Sequence, residues 1–247
     1  MPILPTQSCL MQSPSGPDEK KTLSKAEIAS GYDQIPAEKF MPQKFHRRCV
    51  ALVRPHLRSG MRVADLGCGH GRLLQVLAQL EMSLALHGCD LSPVLVQNTK
   101  TAVPQAEVQV ADIEALPYPG SFFDAAFSTE VLEHLLEPRK GLKEIHRVLK
   151  PGGWLLVSLP NRDWFHFEDY LKRRTQFQPV DDHFYSVAEL EGLLSEAGFT
   201  VMKVRGGENL YFGGGLPRLL ERIALAVYPR LHRRMKRMIL LVQKPTG

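Results

Sequence analysis

The stretch that most restricts what this chain can fold into is Val63-Ala64-Asp65-Leu66-Gly67-Cys68-Gly69-His70-Gly71, a short apolar run followed by glycines at alternate positions. Glycines so spaced let a backbone turn sharply as it leaves a strand and pass close to a ligand with no Cβ between them. A helical pattern over 72–80 follows at once, with Leu73, Leu74, Leu77 and Leu80 on one face. Its first free N–H groups would point at whatever the loop holds. A dinucleotide fingerprint requires glycine or alanine where Arg72 stands, which argues against a pyrophosphate site.

Strand and helix patterns alternate from there. Strands are predicted over 61–66, 84–89, 107–110, 123–128 and 154–159, with helices near 43–57, 93–102 and 139–149. That alternation argues for an α/β fold with a parallel sheet covered by helices on both faces. Beyond it, a helix over 187–197, a strand over 199–204, a helix over 216–231 and a strand over 235–242 are expected. Residues 1–22, with Pro2, Pro5, Pro14 and Pro17 among serines, read as a tail, and 23–247 as a single domain.

Two carboxylates fall in register with the glycine loop. Asp90 closes the second strand, where an acid can accept hydrogen bonds from both hydroxyls of a ribose. Asp112 closes the third, where it could accept from an exocyclic amine. Loop, acid and second acid together describe a pocket for an adenosine without phosphates.

At this point the chain resembles the class I S-adenosylmethionine-dependent methyltransferases, in particular their small-molecule and quinone-type group. The residues that carry the likeness are 65–71, Gly88-Cys89-Asp90-Leu91-Ser92, Ala111-Asp112-Ile113, Phe123-Asp124, Glu130-Val131-Leu132-Glu133-His134 and Leu149-Lys150-Pro151-Gly152-Gly153, extended by His183-Phe184-Tyr185-Ser186 and Glu196-Ala197-Gly198-Phe199. The resemblance implies a Rossmann-like sheet of seven strands, mostly parallel, with the last strand antiparallel. It implies S-adenosyl-L-methionine as cofactor. Asp65, Gly67, Cys68 and Gly69 would lie along its methionine part, Asp90 on its ribose with Leu91 against the adenine, and Asp112 with Ile113 at the base. Ser128, Thr129 and Glu130 would border the sulfonium, and Tyr32 would close the pocket from the N-terminal side.

Methyl transfer from a sulfonium is an in-line displacement, so the protein mainly aligns the acceptor, excludes water and, where needed, removes a proton. His134 is the first candidate base, with Glu130 beside it. In a helical turn Glu130, Glu133 and His134 would share a face, and with His183 they could hold a divalent cation. The family resemblance is neutral on this, since the same run occurs with and without a metal, and no metal is assigned. The expected reaction is methylation of a small, hydrophobic acceptor, at oxygen rather than carbon. A metal-assisted RNA 2′-O-methyltransferase and a cofactor-binding regulator without transfer activity are the alternatives.

Composition narrows the partners. The chain is 44% hydrophobic and no window approaches the ~20 apolar residues of a membrane span. The net charge of +5 is uneven: residues 203–244 hold ten basic residues against two acidic ones. That concentration points to an anionic membrane surface touched peripherally rather than to DNA. It coincides with an insertion over 206–234, in which Leu216, Leu219, Leu220 and Ile223 are interleaved with Arg218, Arg222 and Arg230. Trp164, Phe165, Phe167, Tyr170 and Phe177 follow the fifth strand, where related enzymes build the acceptor pocket. Four scattered cysteines and an N-terminus without a signal-peptide pattern lead to the expectation of a cytoplasmic protein.

Overall fold

A computed structural model describes residues 23–173, 179–180, 182–207 and 223–246. The expected tail (1–22), Phe177, and the part of the insertion containing Leu216, Arg218, Leu219, Leu220 and Arg222 lie outside the described residues. The strands are β1 Arg62–Leu66, β2 Ala85–Asp90, β3 Glu107–Val110, β4 Phe123–Thr129, β5 Leu149–Pro160, β6 Thr200–Gly207 and β7 Arg237–Gln243. They form one sheet in the order β3-β2-β1-β4-β5-β7-β6. The first five strands pair in parallel, and β7 lies antiparallel to both β5 and β6. The last strand of the chain is thus the antiparallel one, as expected, and is inserted between its neighbours rather than set at an edge.

The helices are α1 Lys25–Asp33, α2 Gln43–Val53, α3 Arg72–Ala78, α4 Pro93–Ala102, α5 Pro138–Val148, α6 Phe167–Arg173 and α7 Val187–Glu196. Alternation along the central strands explains the layering. Leu155, Val157 and Leu240 point to one face, where Leu142, Ile145, Leu190 and Leu194 of α5 and α7 cover them. Leu156, Ile239 and Leu241 point to the other, against Phe45, Cys49, Leu73 and Leu74 of α2 and α3. Each fully buried leucine in these layers contributes about 2 kcal/mol by removal from water.

Two expected helices are shorter than the pattern implies, and proline is the cause. Pro55 ends α2 early and leaves a 3-10 turn over Arg54–His56. In the acceptor-side segment, residues 223–227 are helical, but the expected run to 231 gives way to a 3-10 turn, Pro229–Arg234. Pro229 lacks the N–H that an α-helix would require there. The sheet order reverses direction at β1, between β2 and β4, and that reversal opens a crevice at the carboxyl ends of the strands.

Candidate active site

The crevice holds a cavity of about 450 Å³. It is floored by what leaves the strands: Asp65 and Gly67 after β1, Asp90 at the end of β2, Asp112 after β3, Thr129 and Glu130 at β4, and Pro160 at β5. Every site residue expected from the sequence lines it except Ser128, which is 2% exposed within β4.

The glycine loop is fastened to the second strand. The N–H groups of Gly67 and Cys68 donate to the Cys89 carbonyl at 2.8 and 2.9 Å. That of Gly69 donates to Asp90 Oδ2 at 2.9 Å. Gly67 sits at φ 84°, a left-handed conformation that side chains disfavour. A Cβ there would also come within 2.5 Å of Val131 Cγ2. Conformation and close approach both require glycine at this position.

The acids of the cavity differ in their surroundings. Asp65 is buried with its Oδ1 lacking any hydrogen-bond partner. Burial, reinforced by the Asp90 charge, pushes its carboxyl well above the usual range. Burial also raises Asp90, against the bonds it accepts from the N–H groups of Ser92 and Gly69. Asp112 caps a 3-10 turn by accepting from Glu114 N–H at 2.9 Å. Its other oxygen lies 3.3 Å from Lys25 Nζ, which also reaches Glu114 at 2.9 Å. Helix α1 is therefore strapped over this end of the cavity, and its far end is held where Ser92 donates to Asp33. Arg72 holds the following segment by donating to the carbonyls of Ala37, Phe40 and Met41.

At the other end the expected helical face is replaced by a different arrangement. Residues 130–134 are not α-helical: Leu132–His134 is a single 3-10 turn, and Glu130 precedes it at φ 58°. Glu130 turns to Arg237, the first residue of β7, and accepts from Ser158 Oγ at 3.1 Å. His183 is exposed, and its backbone N–H donates to the Glu133 carbonyl at 2.8 Å. The four residues considered for a cation therefore diverge. Among the described residues no group of three or more His, Cys, Asp or Glu is placed to hold a metal ion.

His134 instead meets Asp182. Its Nδ1 lies 2.9 Å from Asp182 Oδ1, both side chains largely buried. Its Nε2 is 3.9 Å from Glu133 Oε1, beyond hydrogen-bond reach. Burial alone would lower the imidazole, but the carboxylates of Glu133 and Asp182, with Glu130 behind them, outweigh it and raise its pKa. Glu133 is itself raised, chiefly by burial, against the pull of His134. The Tyr32 ring packs 6.0 Å from the His134 ring, and its buried hydroxyl has no partner. Burial and the nearby carboxylates hold that phenol protonated, as a donor facing the cavity. Neither Asp182 nor Arg237 was marked by the sequence. Asp182 adjoins the family-like His183-Phe184-Tyr185-Ser186 run, the one signal that could have indicated it.

The aromatic residues after β5 divide. Trp164 and Phe167 are buried, Tyr170 of α6 lines the cavity, and Phe165 is 58% exposed.

Comparison with known proteins agrees with this geometry. Residues 64–157 match a family described as a methyltransferase domain. A Mycolicibacterium smegmatis protein named "Probable S-adenosylmethionine-dependent methyltransferase" is 31% identical over 179 residues, covering 72% of this chain and 66% of its own length. Demethylmenaquinone methyltransferase from Paenarthrobacter aurescens is 30% identical over 142 residues, covering 58% of this chain and 55% of its own. The chain spans between 46% and 66% of the length of the first curated relatives it matches. A chain of the complex between the Haloferax volcanii Trm112 methyltransferase activator and a methyltransferase superposes with a TM-score of 0.65. That match has 23% identity and covers 90% of this chain and 97% of the other, a likeness of fold. With a matching domain at 64–157 built into a seven-stranded sheet of this order, the chain belongs to the class I S-adenosylmethionine-dependent methyltransferases.

Proposed function

We propose that this protein methylates an oxygen of a small, largely apolar acceptor, using His134 as general base. The observation that carries this reading is the pairing of His134 with Asp182 in the same cavity as the glycine loop, Asp65 and Asp90. The residues present fit the family's cofactor. Gly67 and Gly69 leave room along a backbone turn, and the partnerless Asp65 Oδ1 suits a cationic amino-acid end. Asp90 is placed for sugar hydroxyls, with Leu91 and Ile113 beside the base. When bound, S-adenosylmethionine supplies a methyl group on a sulfonium with an intrinsically good leaving group.

What remains for the chain is alignment, exclusion of water and proton removal. A hydroxyl that accepts a methyl group must lose its proton. With Asp182 accepting from Nδ1–H, a neutral His134 would present Nε2 to take that proton. The same carboxylate would stabilise the imidazolium that results. A methylation at carbon would give this pair less to do, which is why oxygen is favoured. Phe40, Met41, Pro160 and Tyr170 line the cavity together with these polar groups and support an acceptor that is apolar except at its reacting end. The likeness to a menaquinone-type methyltransferase agrees with such an acceptor. Cys49, Cys68 and Cys89 are free and buried, which fits a cytoplasmic setting.

Incubation with methyl-labelled S-adenosylmethionine and a set of lipophilic phenols and alcohols tests the reading. An O-methylated product, lost in His134→Ala, is expected. A product labelled at carbon, or full turnover by His134→Ala, would overturn it.

A further inference from the structure

We infer that the face formed by Phe165, Val227, Tyr228, Arg230 and Arg234 docks on an anionic lipid surface and sets the open side of the cavity against the membrane. The proposal rests on the apolar-acceptor reading for its purpose, not for its geometry. Phe165, Ile223, Val227 and Tyr228 are between 52% and 64% exposed, far more than large apolar side chains need to be in a packed chain. They are joined to basic residues rather than scattered. Arg234 lies 5.8 Å over the Phe165 ring and donates to the Asp163 carbonyl at 3.2 Å. This brings the loop after β5 against the turn Pro229–Arg234, which continues directly from Tyr228.

The charge of the segment is one-sided. Residues 223–246 contain Arg230, Arg233, Arg234, Lys236, Arg237 and Lys244, and no acidic residue. Arg233 is engaged by Glu191 and Arg237 by Glu130, which leaves Arg230 and Arg234 as the exposed cations of the face. The opposing charges on the adjoining helix α6 are Glu168 and Asp169, both exposed. The position of the face matters as much as its composition. It begins five residues after Pro160 and ends three before Arg237, and both of those residues line the cavity. Amphipathic surfaces of this kind, aromatic and aliphatic side chains rimmed by arginine, lie in the headgroup region of a bilayer. The apolar groups enter and the cations pair with anionic headgroups.

Flotation of the full chain with vesicles tests the proposal. We expect binding to phosphatidylcholine vesicles containing about one-third phosphatidylglycerol, and little binding to pure phosphatidylcholine or at high salt. The double variant Arg230→Ala, Arg234→Ala should bind about 25-fold more weakly, since each basic residue near an anionic surface is worth roughly fivefold. The variant Phe165→Ser, Val227→Ser, Tyr228→Ser should also weaken binding. Both should keep wild-type affinity for S-adenosylmethionine by calorimetry, which shows that they fold and separates this test from that of the base. Absence of wild-type binding to anionic vesicles, or variants that bind as the wild type does, would overturn the proposal. So would equal retention on neutral vesicles, or binding to RNA without binding to vesicles.

Discussion

His134 Nδ1 and Asp182 Oδ1 stand 2.9 Å apart although 48 positions separate the two residues in the chain. One comes from the turn after β4 and the other from the segment leading into α7. The pairing fixes which imidazole nitrogen can face a ligand, and it links the proposed base to a carboxylate buried with it.

Replacing His134 by alanine is expected to lower kcat by about 10²–10⁴-fold, the range for loss of a general base. Affinity for S-adenosylmethionine should stay within about threefold, because the cofactor's expected contacts lie on the glycine loop and Asp90. Steady-state kinetics beside calorimetry separates the two effects.

The pH dependence follows from the raised imidazole pKa. A base must be deprotonated before the reaction, so kcat/KM should rise with pH along a limb above the ordinary imidazole value near 6.5. In Asp182→Asn one of the carboxylates that raises the pKa is gone, and the limb should move to lower pH as the maximum rate falls. Asp182→Glu should restore part of the rate. A pH profile unchanged by Asp182→Asn would show that the carboxylate does not act through His134.

Asp65 gives a prediction of stability rather than rate. Its folded pKa is raised above the unfolded value of about 4, so the folded state holds the proton more tightly. That contribution to stability is full below about pH 4 and is lost as pH rises through the folded pKa. Asparagine imitates the neutral acid, so Asp65→Asn should raise the melting temperature of the cofactor-free protein at pH 8 by a few degrees. The same change should weaken S-adenosylmethionine binding by about 10-fold or more, as loss of a charge-assisted contact does. Thermal melts with and without the cofactor read both effects.

Gly67→Ala should destabilise by about 2 kcal/mol or more, a loss of roughly 4–8 °C in Tm. The strain of φ 84° and the contact with Val131 both contribute. Adding Val131→Ala should recover the part due to the contact and leave the part due to the backbone, which a double-mutant cycle of melts would separate.

Asp90→Ala removes the acceptor of the Gly69 and Ser92 N–H groups and the expected ribose contact together. Cofactor affinity should fall by about 10–100-fold. Unchanged affinity by calorimetry would refute the ribose assignment.

The features that the sequence by itself determined are local or periodic. The loop 67–71 needs glycine for conformational reasons that are visible in the chain, and β3 and α4 begin and end where their patterns do. The acids Asp65, Asp90 and Asp112 sit at fixed offsets from strand ends, so one sheet brings them to one cavity without further information. The tertiary structure decided what depends on distant partners. The run 130–134 has helical spacing, yet Glu130 is drawn out of it by Arg237, 107 residues away, and the expected metal face dissolves. Asp182 has no periodic or motif signature of its own and gains its role only from where the fold sets His134. The basic excess was countable in the sequence, but which arginines are spent on Glu191 and Glu130, and which stay exposed beside Phe165, was not. Backbone conformation and hydrophobic period act over a few residues and can be read along the chain. Ion pairs and exposed faces depend on contacts between residues far apart in it, and folding alone brings those together.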